Sequence, residues 1–162
     1  PTDTIYGLAC LANNPSGIQK IIELKNRDIS KGFILLASDI GYLLPYIDSQ
    51  MSEDLLEQIS IPSKNPTTFL VPKSEELSPL LAGSNELLAV RITPNPLIKF
   101  FCETADSALI STSANLQGKQ VAKTKRELRS YFGNQLDYAL PPSGYNSEPS
   151  RIINLITGER IR

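Results

Sequence analysis

Apolar and polar positions follow two rhythms along the chain, short continuous or alternating runs and stretches in which apolar side chains recur every three or four residues. Phe33-Ile34-Leu35-Leu36-Ala37, bounded by Gly32 and Ser38-Asp39, predicts a strand buried on both faces. Thr67 to Val71 and Leu87 to Ile92, rich in β-branched and aliphatic residues, predict two more. Leu109-Ile110-Ser111-Thr112-Ser113-Ala114-Asn115 starts as an apolar strand and turns into small hydrogen-bonding side chains. Extended backbone throughout would put Ser111, Ser113 and Asn115 on one face. Pro1 to Leu8 alternates in the same way, with Thr2, Thr4 and Tyr6 together; a half-solvated edge strand has the same pattern. Tyr138 to Leu140 and Arg151 to Leu155 predict the last strands, on either side of the loop Pro141 to Ser150.

The helical rhythm begins where Ser16 and Gln19 form a capping-box pattern and Ile18, Ile21 and Ile22 recur on one side, to about Lys25. Short helical pieces are expected around Ile40 to Leu44 and from Ser52 to Ile59. Asn95-Pro96 caps a helix that carries Leu97, Ile98 and Phe101 toward the core. Thr124 with Glu127 caps another through Phe132, stopped by Gly133. Lys73 to Ser84 reads as a surface loop able to serve as a lid. Strands interleaved with helices predict an α/β fold, a mixed sheet with flanking helices.

Composition narrows the chemistry. At 162 residues the chain is expected to form one domain. Sixteen Lys+Arg against seventeen Asp+Glu give no global pull toward nucleic acid or anionic membrane, so any phosphate site must be a local cluster of cations. Cys10 and Cys102 are far apart and form no C-x-x-C pair, which suits a reduced, cytoplasmic interior. No apolar run approaches the roughly 20 residues that span a bilayer. The absence of histidine removes Ser-His-Asp catalysis, and neither standard glycine-rich nucleotide fingerprint is present. Residue 1 is Pro and not Met, so the chain is expected to be a fragment whose upstream targeting cannot be read.

The remaining chemistry lies in cations and hydroxyls. In a continuing helix Lys25 and Arg27 would diverge by roughly 200°. They converge only if the helix stops, and Asn26, Asp28, Ser30 and Gly32 favour a stop that crowds Lys25, Arg27 and Lys31 onto one loop. Such a cluster is either a solvated surface or an anion site. Arg91, near the end of an apolar strand, is either a surface residue or a ligand clamp.

Together these pieces resemble the YrdC/TsaC family of threonylcarbamoyl-AMP synthases. The resemblance spans nearly the whole chain and rests on four stretches in family order: Pro1 to Leu8, Glu23 to Arg27 with Lys31-Gly32, Ala89-Val90-Arg91, and Ser111 to Asn115. The family's K-x-R signature falls on Lys25 and Arg27 and its S-x-N signature on Ser113 and Asn115. Its W-P-G-P-x-T-F stretch corresponds to Ser63 to Phe69, which keeps Pro66 and Thr68 but not the Trp or Gly. The resemblance implies a twisted mixed sheet around a large, positively lined cavity, in a single domain over residues 1–162 lacking the family's first helix and strand. It also implies the short form, without the extra carboxyl-terminal domain of some relatives.

The implied reaction joins L-threonine, bicarbonate and ATP into threonylcarbamoyl adenylate and pyrophosphate for modification of tRNA position 37, a nucleotidyltransferase activity. Mg²⁺ would arrive with ATP and not on protein side chains, and the product would pass to a TsaD, TsaB and TsaE complex. The residues expected to be catalytic are Lys25, Arg27, Ser113 and Asn115. ATP is expected to meet Lys25, Arg27, Lys31, Ser111, Ser113, Asn115 and Ser150. Threonine is expected to meet Thr2, Thr4, Tyr6, Arg91 and Thr112, with Arg91 pairing to its carboxylate. Because carbamate and triphosphate are both anionic, positioning and charge neutralisation can carry such a reaction without a protein nucleophile. Two other readings remain: a non-catalytic RNA-binding module with weak tRNA affinity, and a carbamoyl-adenylate domain of the kind in hydrogenase maturation proteins.

Overall fold

The structure is a computed structural model that describes residues 5–61, 65–140 and 149–162. Thr2, Thr4, Ser63 and Lys64 lie outside the described residues. The elements in chain order are β1 (Gly7–Leu11), α1 (Pro15–Lys25), β2 (Ile34–Ala37), α2 (Glu53–Ser60), β3 (Thr67–Pro72), α3 (Pro79–Ala82), β4 (Leu87–Ile92), α4 (Pro96–Ala105), β5 (Leu109–Ser113), α5 (Lys125–Phe132) and β6 (Arg151–Asn154). Tight 3₁₀ turns occupy Ile29–Lys31, Ile40–Tyr42 and Leu44–Tyr46.

The strands form one sheet in the order β1-β5-β2-β4-β3-β6. The pairs β2·β4 and β3·β6 are parallel, and β1·β5, β5·β2 and β4·β3 antiparallel, so the sheet is mixed as expected. Its register sorts side chains into two faces, because partners directly opposite one another share a face. Ile110, Leu35 and Val90 form one row across β5, β2 and β4 and are at most 1% exposed. On the other face Ala9, Ser111, Ile34, Ala89 and Leu70 run across five strands. One step along, Leu109, Leu36 and Arg91 make a second row on this face.

Several local expectations are corrected. Helix α1 starts earlier than the Ser16 pattern implied: Asn14 is the cap, its side chain accepting from the Gly17 amide at 3.0 Å, and Pro15 occupies the first turn. An asparagine followed by proline outcompetes a serine already inside the helix. β1 begins at Gly7, so Tyr6 lies just before it. β2 is half-buried at Ile34, which faces a cavity, and only Leu35 to Ala37 are buried. Lys73 to Ser84 is not all surface loop, because Ser78 caps α3 and Leu81 and Ala82 are buried. Phe101 on α4 is 37% exposed while Ile98 and Cys102 take the core positions. Tyr138 to Leu140 joins no strand. The Ile40 to Leu44 piece resolves into 3₁₀ turns, whereas helices α2, α4 and α5 form where they were expected, α5 with its capping box on Thr124 and Glu127.

Candidate functional site

The cavity over the Ala9 to Leu70 row has a volume of about 740 Å³. Among the described residues, Arg27, Lys31, Arg91 and Arg162 line it against one carboxylate, Glu86. A cavity with this charge balance attracts anions. Ser111, Ser113, Thr112 and Ser150 also reach it. Tyr6, Lys25 and Asn115 are not among its lining residues.

Helix α1 ends because Asn26 adopts a left-handed conformation, φ 47° and ψ 47°, which asparagine tolerates. This stop separates the two cations on either side of it. Lys25, 4% exposed, turns toward the end of β5. Its ammonium donates to the Ser113 carbonyl, to the Asn115 carbonyl at 2.6 Å and to Asn115 Oδ1 at 3.2 Å. All three N–H groups are therefore engaged by protein oxygens. Burial, with a smaller contribution from the nearby Arg27 charge, lowers the Lys25 pKa to about 8.

Arg27 points the other way, into the cavity. Its Nη2 donates to the Gly32 carbonyl at 2.7 Å and its guanidinium lies 5.1 Å from the centre of the Phe33 ring. Its Nε is buried and makes no hydrogen bond among the described residues. Burial lowers its pKa from the ordinary value, against an opposing pull from Asp28. Lys31 lies on the 3₁₀ turn capped by Asp28.

The hydroxyl comb is real on β5 but stops at Ser113. Ser111 and Ser113 share the cavity face, whereas Asn115 leaves the strand, its amide donating to the Ser113 carbonyl at 3.0 Å. Ser113 Oγ donates to Asn115 Oδ1 at 2.6 Å, and Asn115 Nδ2 donates to the Lys119 carbonyl at 2.8 Å. Lys25, Ser113 and Asn115 thus form one network joining the end of α1 to the end of β5.

Arg91 is buried at 6% exposure on the Leu36 row, deep on the cavity face. Ser150 enters just before β6, with its Oγ and Thr68 Oγ1 in a buried hydrogen bond of 2.8 Å. The Tyr6 hydroxyl donates to the Leu140 carbonyl at 3.0 Å. Sequence reasoning missed Arg162, whose Nε and Nη2 both donate to the Ser150 carbonyl at 3.2 and 3.0 Å while it lines the cavity. No motif marks it; the signal is the tail folding back so that Ile153 bridges Arg160. It also missed Phe101, whose ring adds to the apolar wall with Leu97 and Ile98. Among the described residues no group of three or more Cys, Asp or Glu side chains could hold a metal ion, and no helix is long and apolar enough to cross a membrane.

Residues 1–162 match the Sua5/YciO/YrdC family model, whose description is telomere recombination. A threonylcarbamoyl-AMP synthase of Nitrosococcus oceani is 40% identical over 167 aligned residues, covering 100% of this chain and 88% of that protein. Another, of Acinetobacter baumannii, is 38% identical with the same coverage. Among solved structures, P. abyssi Sua5 complexed with L-threonine superposes with a TM-score of 0.83 over 96% of this chain and 46% of that one, at 22% identity. E. coli YciO gives 0.74 over 95% of this chain and 75% of that one, at 21% identity. These structural likenesses establish the fold. The family match over every residue, joined to relatives of about 40% identity along the full chain, establishes that the chain belongs to the Sua5/YciO/YrdC family.

Proposed function

We propose that this chain is a threonylcarbamoyl-AMP synthase. The observation that carries the reading is the identity of about 40%, over all of this chain, to relatives that bear that name. The geometry supports it, because the reaction has to bring two anions together and, among the described residues, the cavity lining sets four cations against one carboxylate.

The threonine amine and bicarbonate condense to a carbamate with loss of water. A carbamate oxygen then attacks the α-phosphorus of ATP, and the bond to the bridging oxygen breaks, expelling pyrophosphate. This makes the activity a nucleotidyl transfer. Arg27 and Lys31 would meet the triphosphate, and Arg162, with donors left over, would extend the same wall. Ser111, Ser113 and Asn115 would orient phosphate and carbamate, and Ser150 would contact the nucleotide. Lys25 would act from behind by fixing Ser113 and Asn115 and lending its charge. Arg91, aided by Thr112 and Tyr6, would take the threonine carboxylate in a bidentate fork; Thr2 and Thr4, outside the described residues, complete that side of the proposal. Mg²⁺ would travel on the phosphates, which fits the single carboxylate among the described lining residues. The product would be handed in the cytoplasm to the TsaD, TsaB and TsaE machinery that modifies tRNA.

Pyrophosphate release, measured with ATP and bicarbonate and with L-threonine, L-serine or no amino acid, tests the reading. Release that depends on threonine and exceeds that with serine is expected. Its absence, together with salt-sensitive tRNA binding, would overturn the enzymatic reading in favour of an RNA-binding module.

A further inference from the structure

The loop that carries Arg27 and Lys31 does not stand alone on the cavity wall; it is clasped, backbone to backbone, by the turn after α3. Gly32 has φ 56° and ψ −166°, and Gly83 has φ 63° and ψ −138°, both in territory that disfavours a side chain. A Cβ on Gly32 would lie 2.5 Å from the Ala82 carbonyl oxygen, and one on Gly83 would collide with the Ser30 carbonyl. Each glycine is therefore needed twice, for its conformation and for the approach of the other backbone. Hydrogen bonds close the contact from both sides. The Phe33 amide donates to the Leu81 carbonyl at 2.8 Å and the Ser84 amide to the Ser30 carbonyl at 3.0 Å. Asn85 Nδ2 donates to the Ala82 carbonyl at 2.8 Å and reaches the Ser30 carbonyl at 3.4 Å. Gly32 also supplies the carbonyl that holds Arg27, so the clasp connects through a single residue to a cavity cation.

We propose that Gly83, with Asn85, is a positioning residue for nucleotide binding: by pressing on Gly32 it sets where Arg27 and Lys31 present their charges to the triphosphate. This rests on the proposed reading of that wall as the ATP side. Displacing the clasp moves the Gly32 carbonyl and releases Arg27 from it. Arg91, further along β4 and opposite Leu36 of β2, is held by the sheet and keeps its place.

The test compares Gly83→Ala with Gly133→Ala. Gly133 has almost the same backbone, φ 57° and ψ −132°, but nothing lies within 4 Å of a Cβ built there. The two substitutions share the conformational strain, and only the first disrupts a contact. ATP binding is measured by calorimetry with Mg²⁺, and the KM for ATP and for threonine and the thermal midpoint are measured alongside. Gly83→Ala is expected to weaken ATP binding about tenfold while the threonine KM stays within about twofold. Gly133→Ala is expected to lower the thermal midpoint comparably and leave ATP affinity within about twofold. If Gly83→Ala does not fold, Asn85→Ala, which keeps the glycine and removes the Nδ2 donor, decides the matter with an expected loss in ATP affinity of about threefold. Unchanged ATP affinity in the folded variant, or equal weakening by Gly133→Ala, overturns the clasp. Weakened ATP binding in a protein that shows no threonine-dependent turnover leaves the clasp standing and overturns the proposed reaction instead.

Discussion

The ammonium of Lys25 is bonded to both the carbonyl and the side-chain oxygen of Asn115, 90 residues further along the chain. A buried cation that spends every donor on the protein holds a loop in place more firmly than any single contact could, and its removal strands acceptors in a dry site. Lys25→Met should therefore cost stability as well as turnover. A loss of about 1–3 kcal/mol in urea unfolding is expected from the unsatisfied oxygens. Threonine-dependent pyrophosphate release should fall by about a hundredfold or more.

The same lysine gives a pH signature whose two parts have opposite signs. With a folded-state pKa of about 8, below its ordinary 10.5, the native state sheds this proton before the unfolded chain does. Between those values the unfolded state binds more protons, so the Lys25 contribution to stability rises with pH across the window. Below about 8 both states are protonated and the cost of burying the charge is fully present. Activity should run the other way, because a neutral amine has two N–H groups for three oxygens. Comparing wild type with Lys25→Met at about pH 7 and about pH 9.5 isolates the effect from other titrations. Wild type should gain stability relative to the variant while losing turnover. A parallel pH dependence of stability in the two proteins would remove the assignment.

Arg91 offers a separable handle on the amino-acid side. Arg91→Lys keeps the charge but not the planar fork. The KM for threonine is expected to rise about tenfold with the KM for ATP within about threefold. Equal effects on both would place Arg91 with the nucleotide.

Thr68 and Ser150 tie β3 to the start of β6 through one buried hydroxyl pair. Thr68→Val leaves the Ser150 hydroxyl without this partner and is expected to cost about 1–3 kcal/mol. Adding Ser150→Ala should restore part of the loss, which a double-mutant cycle in urea reads as non-additivity. Strict additivity would mean the pair contributes nothing as a unit.

The helix cap supplies a direct contest between pattern and structure. Asn14→Ala should destabilise by about 1 kcal/mol in thermal or urea unfolding, whereas Ser16→Ala, inside the helix, should change little.

Much of the fold was legible in the chain, and the reasons differ by element. β2, β4 and β5 announce themselves because apolar runs have few other stable uses, and α4 and α5 because Asn95 and Thr124 are capping residues at the right distance. The Ser16 pattern misled because a capping box is a spacing, and an equally good cap with proline behind it lay two residues earlier. Asn115 misled because strand alternation says nothing about where a strand stops. The separation of Lys25 from Arg27 was foreseeable from Asn26, but not which cation would face which way, since that depends on the carbonyls waiting at the end of β5. Arg162 and the Gly32 to Gly83 contact were invisible: each exists only where two distant stretches of backbone meet.

The left-handed residue at the end of α1 constrains how this chain can vary. Each further helical residue would rotate the downstream backbone by about 100°, so one inserted or deleted position before Asn26 would swing the arginine out of the cavity and the lysine off its oxygens together. Natural or engineered length changes should therefore be tolerated in the loops around α2 long before they are tolerated in the last turn of α1, where phase, as much as side-chain identity, is under constraint.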